Sequence, residues 1–139
     1  MIRAYRATDI DRILEIWFAA SLQAHHFIAP EFWQSQLENM RHLYLPAAET
    51  YLYEQDSEIV GFCSLYENNL AAIFVIPEKQ GQGIGKQLLT HARSCRESLT
   101  LTVYQANEAS YQFYLSQGFK VIGEQVDEHT GCPEYLMYG

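Results

Sequence analysis

The stretch Val75-Ile76-Pro77-Glu78-Lys79-Gln80-Gly81-Gln82-Gly83-Ile84-Gly85-Lys86 decides the fold. An apolar run stops at Pro77, glycines alternate with other residues, and a helical pattern then begins. A strand that feeds a helix through a glycine turn places the chain in the α/β class. Glycine has no Cβ, so Gly81, Gly83 and Gly85 let the backbone take positive φ and approach a ligand closely. The first turn of the helix carries unpaired N–H groups and partial positive charge, which suit a phosphate. Such backbone dipoles act locally, whatever the charge of the whole protein. A plain tight turn is the alternative.

Working outward, Leu70–Ile76 is apolar at every position, which predicts a central strand covered on both faces. From Gly83 to about Glu97, Ile84, Leu88, Leu89 and Ala92 recur on one helical face. Residues 99–104 read as another buried strand, and 109–116 as a short helix closed by Gly118. Residues 119–123 and 135–138 supply the last strands, joined by an acidic loop. Upstream, residues 2–6 alternate like a strand, and Thr8 with Asp11 suggests a capping box. Ile10, Ile13, Leu14, Ile16, Trp17 and Ala20 mark a helix to Ala24. A loop at 25–29 leads to Pro30, suited to the first turn of a helix reaching about His42. Strands at 51–54 and 59–65 follow. The order is βααβββαβαββ, a sheet with helices on both faces.

With 139 residues, 48% of them hydrophobic, the chain suits one domain over residues 1–139. Cys63, Cys95 and Cys132 lie far apart, at neither disulfide-framework nor metal-ligand spacing, and read as reduced thiols of a cytoplasmic protein without a metal. No apolar run approaches the ~20 residues that span a bilayer. Net charge of −8 argues against a nucleic-acid partner and permits a cationic acceptor.

The glycine turn fits two familiar phosphate motifs badly. A P-loop would need glycine where Gln80 stands and serine or threonine where Gln87 stands. The dinucleotide fingerprint would need glycine at Lys86 and an acidic residue about 20 residues on, whereas Glu97 precedes its strand. Gln80-x-x-Gly83-x-Gly85 after an apolar strand and a proline instead resembles the acetyl-CoA signature of the GNAT acetyltransferases. Downstream, Asn107, the helix with Phe113-Tyr114, and Gly118-Phe119 resemble that family's second hallmark. The likeness runs along the whole chain, and His25-His26-Phe27-Ile28 with the central apolar strand resembles the small bacterial YjaB/YiaC branch.

The resemblance implies the GNAT acyl-CoA N-acyltransferase fold, a mixed, mostly antiparallel sheet; the expected assembly is a monomer or homodimer. It implies direct transfer of acetyl from acetyl-CoA to a primary amine, either a small molecule or a protein lysine or N-terminus. Gln80, Gly81, Gln82, Gly83, Ile84, Gly85 and Lys86 would hold the pyrophosphate, and Tyr111 would also contact the cofactor. The backbone of Phe74 and Ile76 would line pantetheine, with an N–H within Ile73–Val75 polarising the acetyl carbonyl. This strand would splay from the one containing Thr102. Asn107 would bond pantetheine amides or else cap a helix. Tyr114 would protonate the departing thiolate or else be a buried tyrosine with its hydroxyl satisfied.

One departure matters. Some relatives carry a glutamate base five positions before the asparagine, where this chain has Thr102. His25, His26, Glu67 or a water chain are the substitutes, and a non-catalytic acyl-CoA-binding role is the rival reading.

Overall fold

The computed structural model describes residues 1–139. Its strands are β1 (Ile2–Ala4), β2 (Glu49–Gln55), β3 (Glu58–Tyr66), β4 (Asn69–Val75), β5 (Thr100–Tyr104), β6 (Lys120–Val126) and β7 (Pro133–Tyr138). Its helices are α1 (Ile10–Ala24), α2 (Pro30–Asn39), α3 (Leu45–Ala47), α4 (Ile84–Ser94) and α5 (Glu108–Ser116). The strands form one sheet ordered β1-β2-β3-β4-β5-β7-β6. Only β4 and β5 run parallel; every other pair is antiparallel.

Alternation along the strands sends side chains to two cores, one per face. On one face Cys63, Leu65, Leu101 and Met137 pack with Leu88, Leu89 and Ala92 of α4 and Tyr114 of α5. On the other, Leu52 and Phe62 pack with Ile13, Ile16 and Trp17 of α1 and Trp33 of α2. Cys63 is filler, and burial pushes its thiol up to about 12.

The start of α1 corrects the capping expectation. Asp9, rather than Thr8 with Asp11, closes this end, accepting the Arg6 N–H at 2.9 Å and pairing with Arg3 at 3.0 Å. The second helix also outruns its predicted end at His42, because a π-helical turn over Met40–Tyr44 links α2 to α3. Hydrophobic spacing does not separate a π turn from an α turn. Such turns concentrate at functional sites.

The central strand is the larger correction. β4 lies mid-sheet but is not covered on both faces: Ala72–Ile76 are half-buried and Ala71 is exposed. Ser64 pairs with Ala72 and Leu65 with Leu70, so Ala71 is an extra residue, a bulge that bends the strand. On its other side β4 meets β5 at one position, Asn69 opposite Thr100. Beyond that point the two strands part, giving the expected V-shaped slot. No helix is long and apolar enough to cross a membrane.

Candidate active site

Two cavities open into the slot. The first, about 720 Å³, is floored by the glycine turn between β4 and α4. Gly81 (φ +80°) and Gly83 (φ +84°) are left-handed, and a Cβ on either would meet nothing within 4 Å. Gly83 caps the N-terminus of α4. No backbone N–H from Gly81 to Lys86 donates to a backbone carbonyl. This run of free donors, with Lys79 and Lys86 lining the same cavity, has the chemistry to hold phosphates. Gln80 braces the turn by donating its Nε2 to the Val75 carbonyl at 3.0 Å.

The exposed edge of β4 continues from the nest. Ile76 donates its N–H to the Val60 carbonyl at 2.9 Å. Antiparallel alternation then gives the backbone groups of Phe74 and Ile76 to β3, and turns those of Ile73 and Val75 into the slot.

The second cavity, about 440 Å³, lies against α1, α2 and β5. Trp17, Trp33, Tyr44, Phe74 and Tyr104 give it aromatic walls, Asp127 and Glu134 give it carboxylates, and no lysine or arginine lines it. Trp17 and Trp33 meet edge to face at 5.8 Å, and His25 stacks on Trp33 at 5.2 Å. Burial lowers His25 from 6.5 to about 4, so its ring is neutral at pH 7.

Ile73, Asn107, Ser110 and Tyr114 line both cavities, and mark where two ligands would meet. Asn107 caps α5, its Oδ1 accepting the Ser110 N–H at 3.3 Å. That bond fixes the amide, leaving Nδ2 to donate to His25 Nε2 at 3.3 Å. His25 therefore carries its proton on Nδ1. Tyr114 is buried, and desolvation pushes its phenol above the usual range, so it keeps its proton.

The acetyltransferase (GNAT) domain family matches residues 18–137. The chain belongs to the GNAT acetyltransferase family. It is 33% identical to the peptidyl-lysine N-acetyltransferase YiaC of Escherichia coli, over 99% of this chain and 94% of that protein. It is also 33% identical to the peptidyl-lysine N-acetyltransferase YjaB of Salmonella typhimurium, over 98% of this chain and 94% of that one. The solution structure of apo YjaB from Escherichia coli superposes with a TM-score of 0.87 at 29% identity, covering 99% and 95% of the two chains. The PaiA N-acetyltransferase of Thermoplasma acidophilum, solved with coenzyme A, shares the fold at 21% identity, with a TM-score of 0.82 over 99% and 96% of the chains. The protein is thus an acetyl-CoA-dependent N-acetyltransferase with an amine acceptor, which sets aside a purely non-catalytic role.

Within this GNAT domain, most residues singled out in the sequence converge. Val75, Gln80, Gly81, Gly83, Gly85, Lys86, Asn107 and Tyr114 line the larger cavity. Ile84 is buried in the core, so only its backbone can serve a ligand, and Gln82 is an exposed residue that lines neither cavity.

Other expectations are corrected. Phe74 and Ile76 spend their backbone on β3, one residue out of step with the slot-facing Ile73 and Val75. Tyr111 lines neither cavity and stacks on Tyr135 at 4.6 Å. Phe113 and Tyr114 both line the larger cavity, Phe113 half-buried and Tyr114 buried in the core. Among the base candidates, Glu67 is an exposed turn residue lining neither cavity, and His26 lines the larger cavity instead of the smaller one. His25 and Thr102 do line the smaller cavity. The sequence reading missed Ser110, Tyr104, Asp127 and Glu134. Its one signal was an acidic loop whose contacts no periodicity could place.

Proposed function

We propose that this acetyltransferase acetylates protein lysine side chains by direct attack within a ternary complex. What carries the reading is the junction, where Ile73, Asn107, Ser110 and Tyr114 border the phosphate-nest cavity and the aromatic, acidic cavity at once. The names of the YiaC and YjaB relatives support lysine as acceptor. An aliphatic stem with a cationic end suits aromatic walls carrying carboxylates.

Bound acetyl-CoA supplies the activated acetyl thioester. The N–H groups of Gly81–Lys86, with Lys79 and Lys86, would hold its pyrophosphate, and Gly81 and Gly83 leave the space that close approach needs. The N–H groups of Ile73 and Val75 would orient pantetheine and stabilise negative charge on the acetyl oxygen. Tyr114, held protonated by burial, would donate to the departing sulphur. Burial widens the gap between phenol and thiol, but the same desolvation raises the thiol it serves. His25 is a poor base once its pKa has fallen to about 4, and its Nε2 instead holds the Asn107 amide. The amine proton would pass to solvent at the cavity mouth.

The same reading takes residues 1–139 as one transferase domain, acting in the cytoplasm as monomer or homodimer without nucleic-acid or membrane partners. Net charge of −8 and the family match over 18–137 support it. A thiol-release screen over lysine peptides, polyamines, amino acids and aminoglycoside antibiotics tests the acceptor. Turnover of lysine peptides above the other amines is expected. Turnover confined to small amines overturns the lysine assignment.

A further inference from the structure

Two carboxylates in the smaller cavity have no part in the steps above. Asp127 opens the loop between β6 and β7, and its Oδ2 accepts the Tyr104 hydroxyl at 2.5 Å while its Oδ1 accepts the His129 N–H at 2.9 Å. The loop closes on itself through Asp127 N–H to the Cys132 carbonyl (3.0 Å) and Gly131 N–H to the Asp127 carbonyl (2.8 Å). Burial raises the Asp127 carboxyl, but the Tyr104 hydroxyl and its other partners outweigh it, leaving the group below its usual range and charged. Glu134 stands opposite Tyr104 in the β5–β7 register, with Oε1 accepting Gln125 Nε2 at 2.8 Å. Tyr104, Asp127 and Glu134 therefore share one wall.

Trp17, Trp33 and the neutral His25 also line the cavity, the His25 ring meeting Tyr104 edge to face at 5.1 Å. The buried Ser21 hydroxyl lines this cavity without a partner in the protein and can accept from an ammonium, whereas the unpartnered Trp33 indole N–H can only donate. Two carboxylates face no cation. Carboxylates on an aromatic-walled cavity lined by no lysine or arginine favour a positive guest.

We propose that Asp127, oriented by Tyr104, is the anchor that recognises the acceptor as a protonated alkylamine. The proposal rests on the N-acetyltransferase reading of this site. A carboxylate has room for about four hydrogen bonds; Tyr104, the His129 N–H and Thr130 act on Asp127, which leaves room for an ammonium. Charge-assisted bonds of this type are the strong ones. Glu134 adds to the field, and the aromatic wall takes the aliphatic stem. An amine beside its own free carboxylate, as in an α-amino acid, is repelled by the same wall. The class selected is a primary ammonium on a long uncharged stem, as in lysine side chains and polyamines. Loss of the proton to water frees the anchored amine to attack.

The test compares wild type with Asp127→Asn, Asp127→Glu, Tyr104→Phe and, as a charge control on the same loop, Glu128→Gln. Thiol release is followed at saturating acetyl-CoA with a lysine peptide and with spermidine, and calorimetry reads acetyl-CoA binding. Asp127→Asn is expected to raise the acceptor KM at least about tenfold, the scale of one charged hydrogen bond. Tyr104→Phe raises KM less and lowers kcat little, Asp127→Glu recovers part of the loss, and Glu128→Gln leaves KM alone. Acetyl-CoA affinity holds throughout, which reports that the variants fold. An unmoved KM in Asp127→Asn, or an equal rise in Glu128→Gln, overturns the anchor and leaves acetyl transfer standing. If Asp127→Asn does not fold, Tyr104→Phe decides, and an unchanged KM there overturns the proposal. A wild type that turns over neither amine refutes the acceptor reading on which the anchor rests, and the anchor with it.

Discussion

Replacing Gly83 with alanine separates two roles of one residue. Gly83 holds φ +84° at the N-cap of α4, and a Cβ there meets no protein atom within 4 Å. Inside the protein, the only penalty is the left-handed backbone, about 1–2 kcal/mol for a residue with a Cβ. For 139 residues that lowers Tm by about 3–7 °C. The open space is where a phosphate would rest on the free N–H groups, and a methyl group would hold the phosphate off. Each charge-assisted bond lost costs about 1.5–3 kcal/mol, so acetyl-CoA affinity falls at least about tenfold. Gly118→Ala is the control, because Gly118 has φ +90° and its Cβ would meet only Arg93 Nη2, at 3.8 Å. Differential scanning fluorimetry reads Tm, and calorimetry reads acetyl-CoA binding. Both variants should lose similar stability, while Gly83→Ala alone loses affinity. Equal affinity in Gly83→Ala and wild type refutes the nest.

Other perturbations probe the rest of the site. Tyr114→Phe should lower kcat by roughly a hundredfold while acetyl-CoA binding stays close to wild type; stopped-flow turnover at the wild-type rate removes Tyr114 as the proton donor. Burial lowers His25 to about 4 from 6.5, so on acidification the unfolded chain takes up a proton that the folded chain refuses. The stability it contributes is whole above pH 6.5 and is lost as pH falls toward 4, by up to about 3 kcal/mol. Urea titrations across that window should show a shallower decline in His25→Gln than in wild type, and identical slopes contradict the assignment. A Cβ on Gly61 would sit 2.9 Å from the Phe74 carbonyl oxygen and 3.3 Å from Leu88 Cδ1. Gly61→Ala should therefore destabilise by about 1–3 kcal/mol in denaturant unfolding, and a neutral result shows that β4 yields freely.

Much of the fold was legible because its signals are local. Pro30 and the apolar stripe of 10–20 mark α1 and α2, and Gly83 marks the start of α4. The left-handed glycine turn was legible for the same reason, since positive φ favours glycine and a helix start follows within the same dozen residues. The misplaced details depend on pairing between distant strands. Which β4 residues face the slot turns on Ile76 N–H reaching Val60, a relation that periodicity within 70–76 cannot supply. Uniform hydrophobicity likewise hid the bulge at Ala71, because a strand bordering a cleft is as apolar as one buried on both faces. Tyr111 was given a cofactor contact by family resemblance, which does not say what packs against the residue; Tyr135 does. Asp127 reaches the smaller cavity through a loop fold and one bond to Tyr104, 23 residues away in sequence.

The most direct test of acetyl transfer to lysine combines acetyl-CoA, a lysine peptide and the purified protein, reading free thiol and peptide mass together. Thiol should appear in step with a peptide carrying one added acetyl group, and replacing that lysine by arginine should abolish both. Acetyl-CoA that binds but releases thiol no faster than without protein, with no acetylated peptide, contradicts the account.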